Sequence, residues 1–408
     1  MIFAELTRRH RQHLGFCVPE EASLSVLIDE DAVLPPKSWL LPKTSSALCP
    51  NTTSARNDIS KPDDLYSNGI EYLMIPSPDS SHSAVRNRFR RTIQKKCMLV
   101  AELPLYGEIY FLGSVHLSRP TASRRVVAIL AAYNEARFIE PCLENLISQD
   151  VKVYLLDNGS TDKTVSIAEK WLGRGLINIE HLARNGNFQL KAQLKRKQEL
   201  TNDLEADWFI HVDADEILEP PPGDWNLAEA ISAVEEAGYS MVNFQEYTFV
   251  PTREFPDHDH SDYQRTMRHY YPFAKQTPFG IRAWKNGSDP LDLVKRGGHR
   301  PTFSGMRLCP VFFIMKHYQF LSTMHAISRY HEIEYDPDEL DMGWHGGQGG
   351  WRDQFVDNEF CLPSTRDLRA MGPEQELDAS QPWREHFLEK LASTSNRASK
   401  VTDAESDT

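Results

Sequence analysis

Cysteine is scarce in this chain of 408 residues: Cys17, Cys49, Cys97, Cys142, Cys309 and Cys361 are dispersed, and no two form a CxxC pair. That scatter argues against a disulfide framework and fits reduced, mostly buried thiols of a cytoplasmic chain. Long apolar runs are missing too. The longest candidate, VVAILAAY, is strand-sized, far from the roughly 18 apolar residues of a membrane span. The opening MIFAELTRRHRQHLGFC holds no apolar core of signal-peptide length. The expectation is therefore no transmembrane segment, with peripheral contact at the inner face of a membrane left open. Positive charge is in deficit, 45 Lys and Arg against 58 Asp and Glu, for a net charge of −13. Such a balance argues against nucleic acid, or an anionic membrane, as a partner of the whole surface. It leaves room for one phosphate-bearing small molecule in a metal-assisted site. Two phosphate-loop signatures are also absent. Without GxGxxG a dinucleotide-type Rossmann site is disfavoured, and without GxxxxGK[ST] a P-loop NTPase is.

What is present changes along the chain. Residues 1–120 form an N-terminal region of unknown function, partly loop-rich: VLPPKSWLLPKTSSALCPNTTSARNDISKPDD reads as loop or linker. VRNRFRRTIQKK is a basic run, read as a solvated helix face, and CMLVAELPLYGEIYFLGSVHL suggests two strands about a turn. From Arg124 a regular alternation begins. RRVVAILAAY, VKVYLLD, LINIEHL and ADWFIHVD read as strands. Between them, NEARFIEPCLENLISQ carries an apolar helix stripe at Ile139, Leu143, Leu146 and Ile147, and TDKTVSIAEKWLG one at Val165, Ala168 and Leu172. Alternating strands and helices imply an α/β, Rossmann-type, mostly parallel sheet with helices on both faces. From 221 to 370 the text turns to short strands, aromatic and His-rich loops and Gly clusters, an irregular α+β half built to carry a site. Residues 372–408 are acidic and read as a disordered tail with one short helix around WREHFLEKL.

Polar residues gather at the carboxyl ends of the expected strands. Asn134 and Glu135 follow the first, Asp157 ends the second with Asn158 after it, and Asp213 and Asp215 end the fourth within FIHVDADEIL. That edge is where open α/β sheets bind ligands. In an extended segment i and i+2 share a side, so Asp213 and Asp215 are expected to face one hard cation, with Glu216 on the other side as a supporting group. Few protein oxygens suit Mg²⁺ or Mn²⁺, which keep places for water and substrate phosphate. DNGSTDKT reads as a strand–turn–helix junction, with Gly159 in the turn and Ser160 or Thr161 capping; Asp157 is a candidate partner for a nucleotide base or ribose.

AAYNEARFIEPCLENL, VYLLDNGSTDKT and ADWFIHVDADEIL, in that order and spacing, resemble glycosyltransferase family 2 with its GT-A nucleotide-sugar fold. The DNGSTD and VDADE forms are similar to a largely bacterial branch. The resemblance is firm over 126–218 and looser over 124–365. It implies a GT-A domain at 124–370, with a nucleotide-sugar half at 124–220 and an acceptor half at 221–370. Tyr133 and Glu135 would line the nucleotide pocket, Asn134 and Asn158 would lie beside it, and Asp157 would meet the base. Asp213 would meet ribose or metal, and Asp215 the metal. Asn158, which departs from the commoner DDGS form, is the weak point of the match. VFFIMKHYQFLS resembles a histidine–tyrosine feature of that branch, making His317 a further metal or phosphate ligand with Tyr318 and Ser322 nearby; His345 is a lesser candidate.

The reaction implied moves a sugar from a nucleotide-diphosphate donor, a UDP-sugar by preference, to a saccharide or lipid-linked hydroxyl acceptor. Inversion is the family's expectation, in surface polysaccharide or glycoconjugate synthesis, with Mn²⁺ or Mg²⁺ as cofactor. A base must take the acceptor proton. Glu246 and His299 are the candidates preferred over Asp257 and Asp259, whose PDHDHSD context reads as a solvated turn. Two other classes stand beside this one. A nucleotidyltransferase would carry a Gly/Arg/Lys-rich phosphate loop after the first strand, where AAYNEARF has no Gly. A non-catalytic binding module of the same fold would be marked by loss of the acids, yet Asp213 and Asp215 are both present.

Overall fold

The structure, a computed structural model, describes residues 24–26, 72–76, 98–103, 107–111, 115–184, 186–287, 291–304, 306–331, 334–341, 344 and 362–390. The linker at 33–64, the basic run at 85–96 and His345 lie outside them.

Four strands precede the alternating region: β1 (Leu24–Val26), β2 (Tyr72–Pro76), β3 (Met98–Leu103) and β4 (Gly107–Phe111) form a sheet in the order β1-β2-β4-β3. β3 and β4 are the antiparallel pair expected from their sequence.

The second sheet is larger. β5 (Val126–Ala132), β6 (Val151–Asp157), β7 (Leu176–His181) and β8 (Trp208–Asp213) are parallel neighbours in the order β8-β5-β6-β7. Between them run α1 (Ile139–Ser148), α2 (Thr164–Ala168) and α3 (Leu190–Asp203). Strand alternation sorts β5 to two faces. Val126, Ala128 and Leu130 pack with Ile139, Leu143 and Leu146 of α1, and with Ala230 and Ile231 of α4 (Leu227–Glu236). Val127 and Ile129 pack with Leu194 and Leu200 of α3 on the opposite face. Each fully buried aliphatic side chain contributes roughly 2 kcal/mol, which holds these helices to the sheet despite their modest length. The expected stripe on the second helix is cut short. α2 ends at Ala168 and passes into a 3-10 turn at Glu169–Trp171, so Leu172 is 44% exposed.

Beyond β8 the sheet turns mixed. β9 (Glu216–Glu219), β10 (Met241–Phe249), β11 (His269–Phe273), β12 (Ile281–Lys285), β13 (Phe313–His317) and β14 (Arg369–Ala370) continue it past β8 in the order β12-β10-β11-β14. β12 is antiparallel to β8 and to β10. β13 lies off that row, parallel to β10 and antiparallel to β9. Residues 372–390, assigned to the acidic tail by composition, pack back onto this half. The Trp383 ring stacks on Tyr271 at 4.2 Å between centroids, and Phe387 and Leu388 join a core with Phe273 and Phe320. Aromatic burial there outweighs the acidic composition around it. Cys142 and Cys309 are free and buried. No helix among the described residues is long and apolar enough to cross a membrane.

Candidate functional site

The parallel register brings the first set of residues to one edge. Ala132, the last residue of β5, pairs with Asp157, and Ala131 pairs with Asp213, so the two acids flank the end of β5. Asp157 is buried and accepts from the backbone N–H groups of Gly159 and Ser160, both at 3.2 Å, with His181 Nδ1 3.0 Å away. It therefore shapes the NGS turn, in which Gly159 takes φ +79, a value costly for any other residue. Asn158 is also buried; its Oδ1 accepts from Gln193 Nε2 at 3.1 Å. Asn134 adopts φ 55 and accepts from the Thr161 N–H at 2.8 Å, while Glu135 N–H donates to Thr164 Oγ1 at 2.7 Å. These bonds lace the loops after β5 and β6 into one rim. Above it the Arg184 guanidinium lies over the Tyr133 ring, 3.7 Å from its centre.

The acidic cluster does not have the extended geometry expected of it. β8 ends at Asp213, residues 214–215 form a turn, and β9 begins at Glu216. The i, i+2 rule does not survive a turn, and the two aspartates part. Asp213 has a side chain 47% exposed, whereas that of Asp215 is 6% exposed. Asp213 Oδ2 sits 4.0 Å from His211 Nε2. His211 Nδ1 in turn accepts from the buried Lys197 Nζ at 3.0 Å. Burial and Lys197 push His211 well below the usual histidine range, and burial pulls Lys197 down to about 8. Glu216 turns inward. One of its oxygens accepts from the Asp213 N–H at 3.0 Å and the other from the Arg282 guanidinium of β12. Both side chains of that pair are buried, and together they brace the turn against the sheet.

Strand pairing delivers the second set. β13 lies against β9 with His317 directly across from Glu216, and against β10 with His317 across from Thr248. His317 therefore meets the turn on one side and β10 on the other. Its Nε2 lies 3.3 Å from Asp215 Oδ2, and its Nδ1 is 2.6 Å from Glu246 Oε1. Glu246, also buried, accepts a second bond from Thr248 Oγ1 at 2.8 Å. Burial opposes every charge in this row. Even so, Asp215 and Glu246 raise the His317 imidazole well above the usual histidine range, and His317 and His386 hold Glu246 at about 2. Tyr318 is buried under the same turn, its N–H donating to the Asp215 carbonyl at 2.9 Å. Ser322 Oγ accepts from the His325 N–H at 3.1 Å at the start of α5 (Thr323–His331).

Two contributors had no sequence signal. Arg329 of α5 reaches Asp215 Oδ2 at 2.9 Å and Glu135 Oε1 at 2.9 Å. Its spacing from buried His325 at i and i+4 places both on the face turned to the Phe138 ring, but nothing in STMHAISRYH sets this Arg apart from a surface one. Burial raises the Glu135 carboxyl against the pull of Arg329, and Asp215, contacted by Arg329 and His317, is held well below the carboxylate range. His386 comes from the C-terminal segment. Its ring stacks on Phe273 at 3.6 Å and its Nε2 lies 3.9 Å from Glu246 Oε1. Of the other proposed bases, His299 is exposed and stacks on Phe279 at 4.6 Å. Asp259 pairs with Arg137 at 2.6 Å, and Asp257 is exposed.

Among the described residues no three His, Cys, Asp or Glu are close enough together to grip one ion, so Asp213, Asp215 and His317 do not form a three-point cage. A two-point platform fits a His317 that has given up its Nε2 proton, since only a neutral imidazole nitrogen can ligate an ion. Asp215 Oδ2 and His317 Nε2 are 3.3 Å apart, and adjacent ligands of an octahedral ion at about 2.1 Å stand roughly 3 Å apart. Glu246 behind His317 completes the carboxylate–histidine row that commonly orients a metal-binding imidazole.

Residues 127–285 match the sequence profile of glycosyl transferase family 2. Among solved structures, TarS of S. aureus is similar at 20% identity, over 32% of this chain and 22% of its own, with a TM-score of 0.23. TarS 1–349 in complex with UDP-GlcNAc is similar at 21% identity, over 32% of this chain and 34% of its own, with a TM-score of 0.23. The glucosyl-3-phosphoglycerate synthase of Mycobacterium tuberculosis, in complex with Mn²⁺, UDP and phosphoglyceric acid, is similar at 20% identity, over 31% of this chain and 43% of its own, with a TM-score of 0.21. The chain thus spans between 22% and 34% of the first two. No curated protein matches it.

Proposed function

We propose, for a chain whose residues 127–285 match the sequence profile of glycosyl transferase family 2, that it transfers a sugar from a nucleotide diphosphate to a hydroxyl acceptor with inversion. The observation that carries this reading is the row Glu246–His317–Asp215, set at the same sheet edge as Asp157 and Glu135. A nucleotide diphosphate brings dense negative charge to that edge, and bare carboxylates would repel it.

Asp215 and His317 are the residues that would hold a Mn²⁺ or Mg²⁺ ion. When bound, the ion supplies positive charge against the diphosphate and stabilises it as it departs. The remaining work falls to the chain itself. Tyr133 and Arg184 form the wall against which a base can stack, and the rim laced through Asn134, Asp157 and Asn158 fixes its height. UDP is the favoured nucleotide. Asp213, half exposed beside His211, is free to take a ribose hydroxyl. Glu246, engaged by His317 and Thr248 on one oxygen, orients the imidazole rather than taking a proton. That leaves His299, the exposed candidate, as the acceptor's base. The setting is surface polysaccharide or glycoconjugate synthesis, on a saccharide or lipid-linked acceptor, at the cytoplasmic face of a membrane.

A melting-temperature panel of nucleotide diphosphates tests the core of this. UDP is expected to raise the melting temperature in Mn²⁺ or Mg²⁺ and to have little effect in excess chelator, because a ligand of the native state stabilises it by mass action. Equal shifts with and without chelator count against the ion. Pyrophosphate release from a nucleoside triphosphate would instead favour a nucleotidyltransferase.

A further inference from the structure

Arg329 contacts two carboxylates, and not equally. Glu135 is held in a fork, Oε1 by Nη2 at 2.9 Å and Oε2 by Nη1 at 3.1 Å. Asp215 is held through one oxygen, Oδ2, by Nη2 at 2.9 Å. That same oxygen faces His317 Nε2 at 3.3 Å. It is therefore the oxygen an ion on the Asp215–His317 platform would share. A guanidinium and a divalent ion sharing one buried oxygen would repel strongly where water does not screen them. They compete for the place.

The surroundings let Arg329 yield without leaving. Its fork on Glu135 does not depend on Asp215. The helix beneath it is anchored at its other end, where Ser322 Oγ takes the His325 N–H at 3.1 Å and His325 Nδ1 takes the Leu321 N–H at 3.1 Å. The Phe138 ring supports both, with its centre 5.5 Å from the His325 ring and 5.5 Å from the Arg329 guanidinium carbon. A guanidinium released from Asp215 can turn the Nη2 donor that held it toward a phosphate oxygen, a partner that arginine suits well.

We propose that Arg329 is the resident cation of this site and a diphosphate-binding residue of it: it occupies the ion's place on Asp215 in the ligand-free protein and turns to the diphosphate when ion and nucleotide bind together. This rests on the donor-and-ion reading above. The consequence is coupling. The ion alone must displace a guanidinium from a buried carboxylate, and the nucleotide alone meets Asp215 with its charge still engaged. Together each removes the other's obstacle, and the coupling is reciprocal.

Calorimetric titration of MnCl₂ alone, UDP alone and each in the presence of the other tests this on the full chain. The wild-type protein is expected to bind Mn²⁺ about tenfold or more tightly with UDP present than without. Arg329→Gln is expected to bind Mn²⁠⁺ alone about tenfold more tightly than wild type, and UDP in saturating Mn²⁺ about tenfold less tightly, so that the coupling collapses. Arg329→Lys keeps the charge and should keep Mn²⁺ alone weak, which preserves the test if the Gln variant melts early. A merely structural arginine would lower both affinities together. Mn²⁺ affinity unchanged or weakened in Arg329→Gln, in a variant with wild-type circular dichroism, overturns the proposal. A wild-type chain that binds neither Mn²⁺ nor UDP in any combination overturns the donor-and-ion reading itself, a separate result.

Discussion

The two halves of the second sheet build their parts of the site by different rules. From β5 to β8 the strands are parallel and every crossover returns the chain to the same end, so each strand end delivers its next residues to one edge. Glu135, Asp157 and Asp213 reach that edge through chain order alone. From β9 onward the pairing is mixed, and position depends on which strands become neighbours. His317 faces Asp215 because β13 runs antiparallel to β9, and it meets Glu246 because β13 also runs parallel to β10. Between these strands of β9 and β13 the chain travels about a hundred residues before the partners meet. The first half is thus a platform that local pattern can specify. The second is a set of attachments specified by long-range packing, and its charged groups are partnered from both sides.

The largest break in that comparison comes at the brace between halves. Glu216 belongs to the turn after β8, and Arg282 to the first antiparallel strand. Glu216→Ala leaves Arg282 buried without its partner, a change that costs roughly 3–5 kcal/mol. Urea denaturation should show that loss, and Glu216→Leu with Arg282→Met should recover much of it. A single variant within 1 kcal/mol of wild type would mean that the two halves are not joined here.

Inside the platform, Lys197 gives a pH signature. Burial lowers its folded-state pKa to about 8, below the ordinary lysine value of 10.5. The unfolded chain therefore binds more protons between those values, and stability rises with pH across the window. The penalty is fully present below about pH 8 and gone above about pH 10.5, a change of roughly 3 kcal/mol. Lys197→Met should remove that slope while leaving the rest of the pH dependence in place. A slope that persists in the variant would show that Lys197 is not the buried cation responsible.

Among the attachments, Glu246→Gln keeps the shape of the His317 partner and removes its charge. If Glu246 orients the imidazole, Mn²⁺-dependent UDP affinity should fall about 10- to 100-fold, as when a metal ligand's outer partner is lost. Loss of activity without loss of ion-dependent binding would return Glu246 to the role of base.

Legibility in the sequence follows the same division. The four parallel strands, the α1 stripe and the acids at strand ends could be read from periodicity and position, because each depends on neighbours a few residues away. The turn at 214–215 could not, since DADE is as compatible with an extended segment as with a bend, and the split between Asp213 and Asp215 follows from it. His317 was reachable only through the resemblance of its KHY segment. Arg329, Arg282 and Lys197 were silent: a buried cation looks like a surface cation until its carboxylate or imidazole is placed beside it, and those partners lie between 14 and 194 residues away. Trp383 and His386 were masked by the acidic composition around them, although the aromatic residues of that segment, not its charges, decide where it packs.

The smallest expected effect tests whether the platform's rim reads the nucleotide or only frames it. Arg184 lies over Tyr133 at 3.7 Å, and its Nη1 is 3.5 Å from Asn158 Oδ1. At a half-exposed site that cation–π contact is worth about 0.5–1 kcal/mol. Arg184→Gln should therefore leave the melting temperature almost unchanged. If a nucleotide base stacks between or beside these groups, the same variant should weaken UDP by a few fold more than that contact accounts for, and should weaken ribose diphosphates that lack a base hardly at all. Equal losses for the two ligands would assign Arg184 to the diphosphate instead, which would move the anion-binding side of the site from α5 toward the loop after β7.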